Sequence, residues 1–122
     1  MALVAMGGAF GSVLRWLLTA WTQQSPPSSS LPFGTLLVNV LGSFAIGALM
    51  TLSSERMSLS PELRLLLVTG VLGGFTTFSA YSYETLALMR SGQGSAAALY
   101  VFGSAALGIA AAFAGRAMAV RA

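Results

Sequence analysis

Four long apolar stretches, separated by three short polar ones, account for nearly all of the chain; they cover about residues 2–21, 33–52, 62–89 and 95–120. A helix needs roughly 20 mostly apolar residues to cross the hydrocarbon core of a bilayer. The pattern therefore predicts an all-α membrane protein, one domain of four transmembrane helices. The connectors are residues 22–31 (TQQSPPSSSL), residues 53–60 carrying Glu55 and Arg56, and a tight turn at 91–94 (SGQG). Pro and Ser cluster where the chain must turn. Pro32 opens the second span, and Ser60 followed by Pro61 reads as an N-cap and first helical position for the third.

Polar and small residues inside the spans carry the remaining information. Gly7 and Gly11 form a GxxxG pair, which lets two membrane helices approach closely. Thr35, Asn39 and Ser43 recur every four residues and form one polar stripe on the second helix. Tyr100, Ser104 and Gly108 repeat that spacing on the fourth. The third span is interrupted: Gly70, Gly73 and Gly74 are followed by Phe75-Thr76-Thr77-Phe78-Ser79. Glycine costs about 1 kcal/mol in a helix interior relative to alanine, and Ser/Thr side chains compete for nearby backbone groups. Non-helical backbone persists at membrane depth only where protein buries it or a polar cavity meets it. Residues 73–79 are therefore expected to break the third helix and to leave carbonyls and amides that need partners.

Composition narrows the class. Of 122 residues, 56% are hydrophobic and 7% charged, against about a quarter charged in soluble domains; the mean hydropathy is +0.81. No cysteine and no histidine occurs, which removes thiolate and imidazole metal sites and the usual proton shuttle. The pI near 10.2 reflects six arginines against three glutamates, dispersed along the chain; without a basic patch, nucleic acid is not an expected partner. The first residues lack a basic leader region, so the first span is expected to be retained. Arginines flanking the side that bears both termini (Arg56, Arg64, Arg116, Arg121) weakly favour cytoplasmic termini, but so few charges leave insertion in either orientation open.

Counting helical rise from the span ends places Arg15, Asn39, Glu84 and Tyr100 each about 8–10 Å from the same membrane face, with the glycine interruption near mid-depth. Arg15 and Glu84 are then most simply a buried ion pair, the alternative being that Arg15 draws anions into a vestibule. Asn39 is either a helix–helix hydrogen bond or an N–H₂ donor aimed at a passing anion. Phe78 and Tyr81, three apart on one face, are either packing aromatics or rings whose positive edges meet an anion; Phe75 is read as packing.

At these residues the chain resembles the small four-helix fluoride channels of the CrcB or Fluc family. The likeness runs through Gly7-Gly8, Gly11 and Leu14-Arg15-Trp16, then Pro32-Phe33-Gly34-Thr35-Leu36, Asn39 and Gly42. It continues through Thr69-Gly70, Gly73 to Ser79, Ser82 and Glu84. The resemblance implies an antiparallel, dual-topology homodimer in the bacterial inner membrane, with two pores. It implies a structural Na⁺ on the two-fold axis, held by the backbone carbonyls of Gly73 and Thr76 from both subunits. It also implies a fluoride pathway formed by Asn39, Phe78 and Tyr81, continued by Tyr100 and Ser104, with Thr77 and Ser79 near the crossover. The family pattern has a second Phe where this chain has Tyr81, a hydroxyl is common where it has Ala80, and some relatives have Ser where it has Gly108.

The expected function is passive export of F⁻, with no catalytic residue and with lipid and a second copy as partners. Carbonyl ligands without a carboxylate suit a hard monovalent cation better than Zn²⁺. An isologous two-fold contact would set the same segment against itself. Dehydrating a halide into low dielectric costs on the order of 20 kcal/mol in the idealised limit, so a pore must offer many weak donors. The alternative is a small proton-coupled four-helix multidrug exporter, whose working carboxylate lies in its first span; here that span carries Arg15. A helix-packing scaffold leaves the polar stripes and the interruption without purpose.

Overall fold

A computed structural model describes residues 1–24, 31–56 and 59–121, so the centre of the Pro/Ser connector and residues 57–58 lie outside the described residues. Helix α1 is Ala2–Gln24 and α2 is Phe33–Thr51, which continues through a wider, π-helical turn at Leu52–Arg56. The beginning of the connector expected at 53–60 is thus helical. Helix α3 covers residues 61–75, as an α-helical turn at Pro61–Arg64, a π-helical stretch at Leu65–Leu72 and a last turn at Gly73–Phe75. Helices α4 (Phe78–Arg90) and α5 (Gly94–Arg121) complete the chain, joined at Gly92, whose φ of 78° is the left-handed conformation open to glycine. Four stretches, Ala2–Gln23, Phe33–Glu55, Pro61–Arg90 and Gly94–Arg121, are long and apolar enough to cross a membrane.

The start of α3 follows its sequence signal. Ser60 accepts from the Leu63 amide at 3.2 Å, with Pro61 at the first helical position; proline's missing N–H costs nothing where that donor has no helical partner.

The helices pair as α1 with α3 and α2 with α5, along two seams of small residues. A Cβ on Gly7 would stand against the Leu66 carbonyl, and one on Gly11 would overlap the Val71 carbonyl. Across the second seam, Cβ atoms on Gly47 and Gly115 would overlap the carbonyls of Ala112 and Phe44. Where no hydrophobic force separates helix from lipid, such backbone contact supplies the dispersion energy of association. Helix α4 leans on the first half of α5, where Leu88, Ala97 and Tyr100 form the buried cluster. Outward faces carry large apolar side chains, among them Phe10, Trp16, Phe102 and Phe113.

Between α3 and α4 the helical dihedrals stop for two residues. Thr76 has φ −82°, ψ 155° and Thr77 φ −147°, ψ 119°. The departure is narrower than the expected 73–79. Gly73 and Gly74 stay helical, and Gly74 packs backbone-to-backbone on Gly8; Ser79 already belongs to α4.

Candidate functional site

The Thr76–Thr77 step exposes backbone groups that a continuous helix would pair, and specific side chains take them. The Thr77 amide donates to Asn39 Oδ1 at 2.9 Å, and Asn39 Nδ2 donates back to the Thr77 carbonyl at 3.0 Å. One carboxamide thus closes both polar groups of a residue 38 positions away. Thr77 Oγ1 accepts from the Ala80 amide at 3.2 Å and caps α4, and stands 3.4 Å from Ser79 Oγ. From α1, Arg15 Nε donates to the Gly74 carbonyl at 3.1 Å. Thr76 Oγ1 donates to the Leu72 carbonyl at 3.0 Å, as does the Thr76 amide.

Following the amides identifies which carbonyls they leave. In a continuous helix Thr77 N–H would bond the Gly73 carbonyl and Ala80 N–H the Thr76 carbonyl. Both amides are turned to side chains instead, to Asn39 and to the Thr77 hydroxyl. Gly73 and Thr76 also line the same cleft.

That cleft encloses about 510 Å³ between α2, α3 and α5. Asn39 and Ser43 line it from α2, Gly73, Thr76 and Thr77 from the step, Phe78 and Tyr81 from α4, and Ser104 and Gly108 from α5. Ser104 Oγ is buried and is the buried side-chain oxygen without a hydrogen-bond partner among the described residues. Phe78 is 78% exposed in the single chain. Its ring centroid is 5.7 Å from that of Tyr81, which lies 5.3 Å from Tyr100.

Arg15 and Glu84 do not pair. Glu84 Oε1 accepts from Thr35 Oγ1 and Oε2 from Tyr100 Oη, each at 2.7 Å, while Arg15 reaches the Gly74 carbonyl. The ion pair among the described residues is at the surface, Arg116 to Glu55 at 3.8 Å. The single polar tier therefore divides in two: Arg15 and Asn39 serve the step, and Glu84 and Tyr100 close on Thr35. Helix α1 runs to Gln24, three residues past the apolar stretch. Tyr100 turns to Glu84 and is not among the residues lining the cleft. Thr35 was visible in the four-residue polar stripe, but its partner was not.

The chain matches the family model described as CrcB-like protein, Camphor Resistance (CrcB), over residues 2–116. It is 53% identical over 116 residues to a protein of Roseiflexus sp. (strain RS-1), covering 95% of this chain and 93% of that one. A Thermus thermophilus protein is 57% identical over 113 residues, 93% and 87% of the two chains. One from Agrobacterium fabrum is 48% identical over 118 residues, 97% and 94%. All three relatives are named fluoride-specific ion channel FluC. With nearly its whole length matched and its four apolar helices accounted for, the chain is a multi-pass membrane protein and belongs to the CrcB family.

Proposed function

We propose that this protein is a passive, fluoride-selective channel of the bacterial inner membrane that lets F⁻ leave the cytoplasm. The observation that carries the reading is the cleft at the Thr76–Thr77 step. It gathers an amide, an unpartnered buried hydroxyl and aromatic rings in an otherwise apolar chain, and the relatives described above are named fluoride-specific ion channels. No member of the set is a fixed cation within the cleft. A small anion is thus solvated by several weak donors and not trapped by one strong charge. Asn39 keeps a second Nδ2 hydrogen beyond the one given to Thr77, Ser104 keeps its proton, and Phe78 and Tyr81 offer ring edges. Thr77 and Ser79 lie at the step, and Arg15 raises the local potential behind it. Conduction of this kind needs no catalytic residue. One membrane domain of four spans suffices, the third broken at Thr76–Thr77.

The functional unit in this reading is an antiparallel homodimer, inserted in both orientations. Its support is the exposed Phe78 and the open cleft, both on one face of the single chain. A structural Na⁺ fits the same face, because the Gly73 and Thr76 carbonyls have lost their helical donors to Asn39 and Thr77. Two neutral carbonyls from each of two chains make an oxygen site for a hard cation. Bound there, the ion would supply positive charge at the membrane centre.

The direct test is fluoride-electrode measurement of efflux from vesicles reconstituted with the purified protein, with Cl⁻ as control. Fluoride efflux without chloride efflux supports the channel. Efflux that requires a pH gradient would favour proton-coupled exchange, and no fluoride efflux would overturn the proposal.

A further inference from the structure

Tyr81 is tethered at both ends of its side chain. Its backbone sits in α4, where its carbonyl accepts from Thr85 Oγ1 at 2.8 Å. Its hydroxyl crosses to α5 and donates to the Val101 carbonyl at 2.9 Å. Between those anchors the ring stands on the cleft wall, flanked by Phe78 at 5.7 Å and Tyr100 at 5.3 Å between centroids. A phenol has one proton to give. Given to Val101, it is directed at α5 backbone and away from an anion in the cleft. Swinging it back would leave two oxygens 2.9 Å apart with no proton between them, so the ring would have to move as well.

Resting on the channel reading above, we infer that the Tyr81 hydroxyl is a latch, not a ligand: it pins the ring to α5 so that its edge, and that of Phe78 beside it, stay aimed into the anion path. Tyr81 is thus a positioning residue, acting on the anion through the orientation of its ring. The cleft hydroxyls divide accordingly. Those of Tyr81 and Thr76 are engaged with backbone carbonyls, whereas Ser104 Oγ has no partner and stays available to the anion.

The test is Tyr81→Phe in the full-length protein, reconstituted beside the wild type. The variant keeps the ring and removes only the tether. Expected results are F⁻ efflux slower by about 3- to 10-fold, the kinetic equivalent of one lost hydrogen bond, an unchanged oligomer fraction, and a thermal midpoint lowered by no more than one interhelical hydrogen bond accounts for. Efflux equal to the wild type would overturn the latch, as would a loss matched by dissociation or by a midpoint drop larger than one hydrogen bond explains. A second measurement addresses the proton itself. In ultraviolet resonance Raman difference spectra, wild type minus Tyr81→Phe, the tyrosine doublet of a donating phenol is expected to be the same in fluoride and in chloride. A fluoride-specific change would show the hydroxyl leaving Val101 for the anion, and the proposal would fall. A wild type that moves no fluoride sinks the channel reading and this one together; a conducting wild type matched by the variant sinks the latch alone.

Discussion

Two polar clusters, both anchored on α2, solve the same problem differently. At Thr35, Glu84 and Tyr100, side chain meets side chain: a carboxylate takes two hydroxyl donors at 2.7 Å, one on each oxygen. At the Thr76–Thr77 step, side chain meets backbone: Asn39 holds both polar groups of Thr77, and Arg15 holds the Gly74 carbonyl. The first cluster has buried Thr35 and Tyr100 closed around it. The second opens on a cleft with an unpartnered serine in its wall. A group whose hydrogen bonds are complete holds helices together; one with donors to spare can replace the water around a moving ion. The step should therefore govern flux and the carboxylate cluster stability.

Asn39→Asp should break the contrast most severely, because it attacks both properties at the step. The carboxylate can still accept from the Thr77 amide but has no proton for the Thr77 carbonyl, and it sets a negative charge in an anion path. Efflux should fall below detection, and the thermal midpoint should drop as well, a buried unsatisfied acceptor costing about 1–3 kcal/mol. Because Asn39 clamps the step, lost flux alone would not identify it as a pore donor; the midpoint must be read beside it. Phe78→Ile removes an exposed ring from the cleft without touching a hydrogen bond. Flux should fall by about two orders of magnitude, ~2.7 kcal/mol on the barrier, with oligomer and midpoint unchanged; normal efflux would remove Phe78 from the pathway.

Arg15→Met takes the nearer of two side-chain donors from the Gly74 carbonyl, leaving Ser12 Oγ at 3.5 Å, and the charge from behind the step. Efflux slower by about tenfold is expected, or ~1.4 kcal/mol; an unaltered rate would confine Arg15 to helix packing. Thr35→Val tests the other cluster. It leaves Glu84 with the Tyr100 donor alone, so the midpoint should fall modestly, by the ~0.6 kcal/mol typical of interhelical hydrogen bonds in membranes, while flux per assembled protein stays within about twofold. A large flux defect there would erase the distinction between the two clusters.

Four spans could be read from hydropathy because nothing else in the chain competes with twenty-residue apolar runs. The step was readable in outline from Gly73-Gly74 and Thr76-Thr77, but not in extent. Glycine disfavours an isolated helix; here Gly74 stays helical because its missing Cβ admits the Gly8 backbone, a contact that only the folded partner helix reveals. Helix α1 outruns the apolar pattern into Thr22-Gln23-Gln24, where polar residues continue a helix that hydropathy had ended. The partners of Glu84 were illegible for a different reason. An acid and a base at similar depth are the simplest pair on paper, and no spacing rule says that two hydroxyls from other helices reach the acid first. Residues 73 and 76 were singled out through the family likeness; the diversion of their helical donors to Asn39 and Thr77 gives a physical reason that the sequence did not contain.

The paired contact between Asn39 and Thr77 has an evolutionary corollary. It needs one acceptor and one donor, spaced as a carboxamide spaces them, at a fixed reach from α2. Glutamine is a carbon too long, and of the residues that a single base change can make from an asparagine codon, none bears a carboxamide. Every one-step genetic neighbour thus loses at least half of the contact, which leaves this site with no gradual route to an alternative.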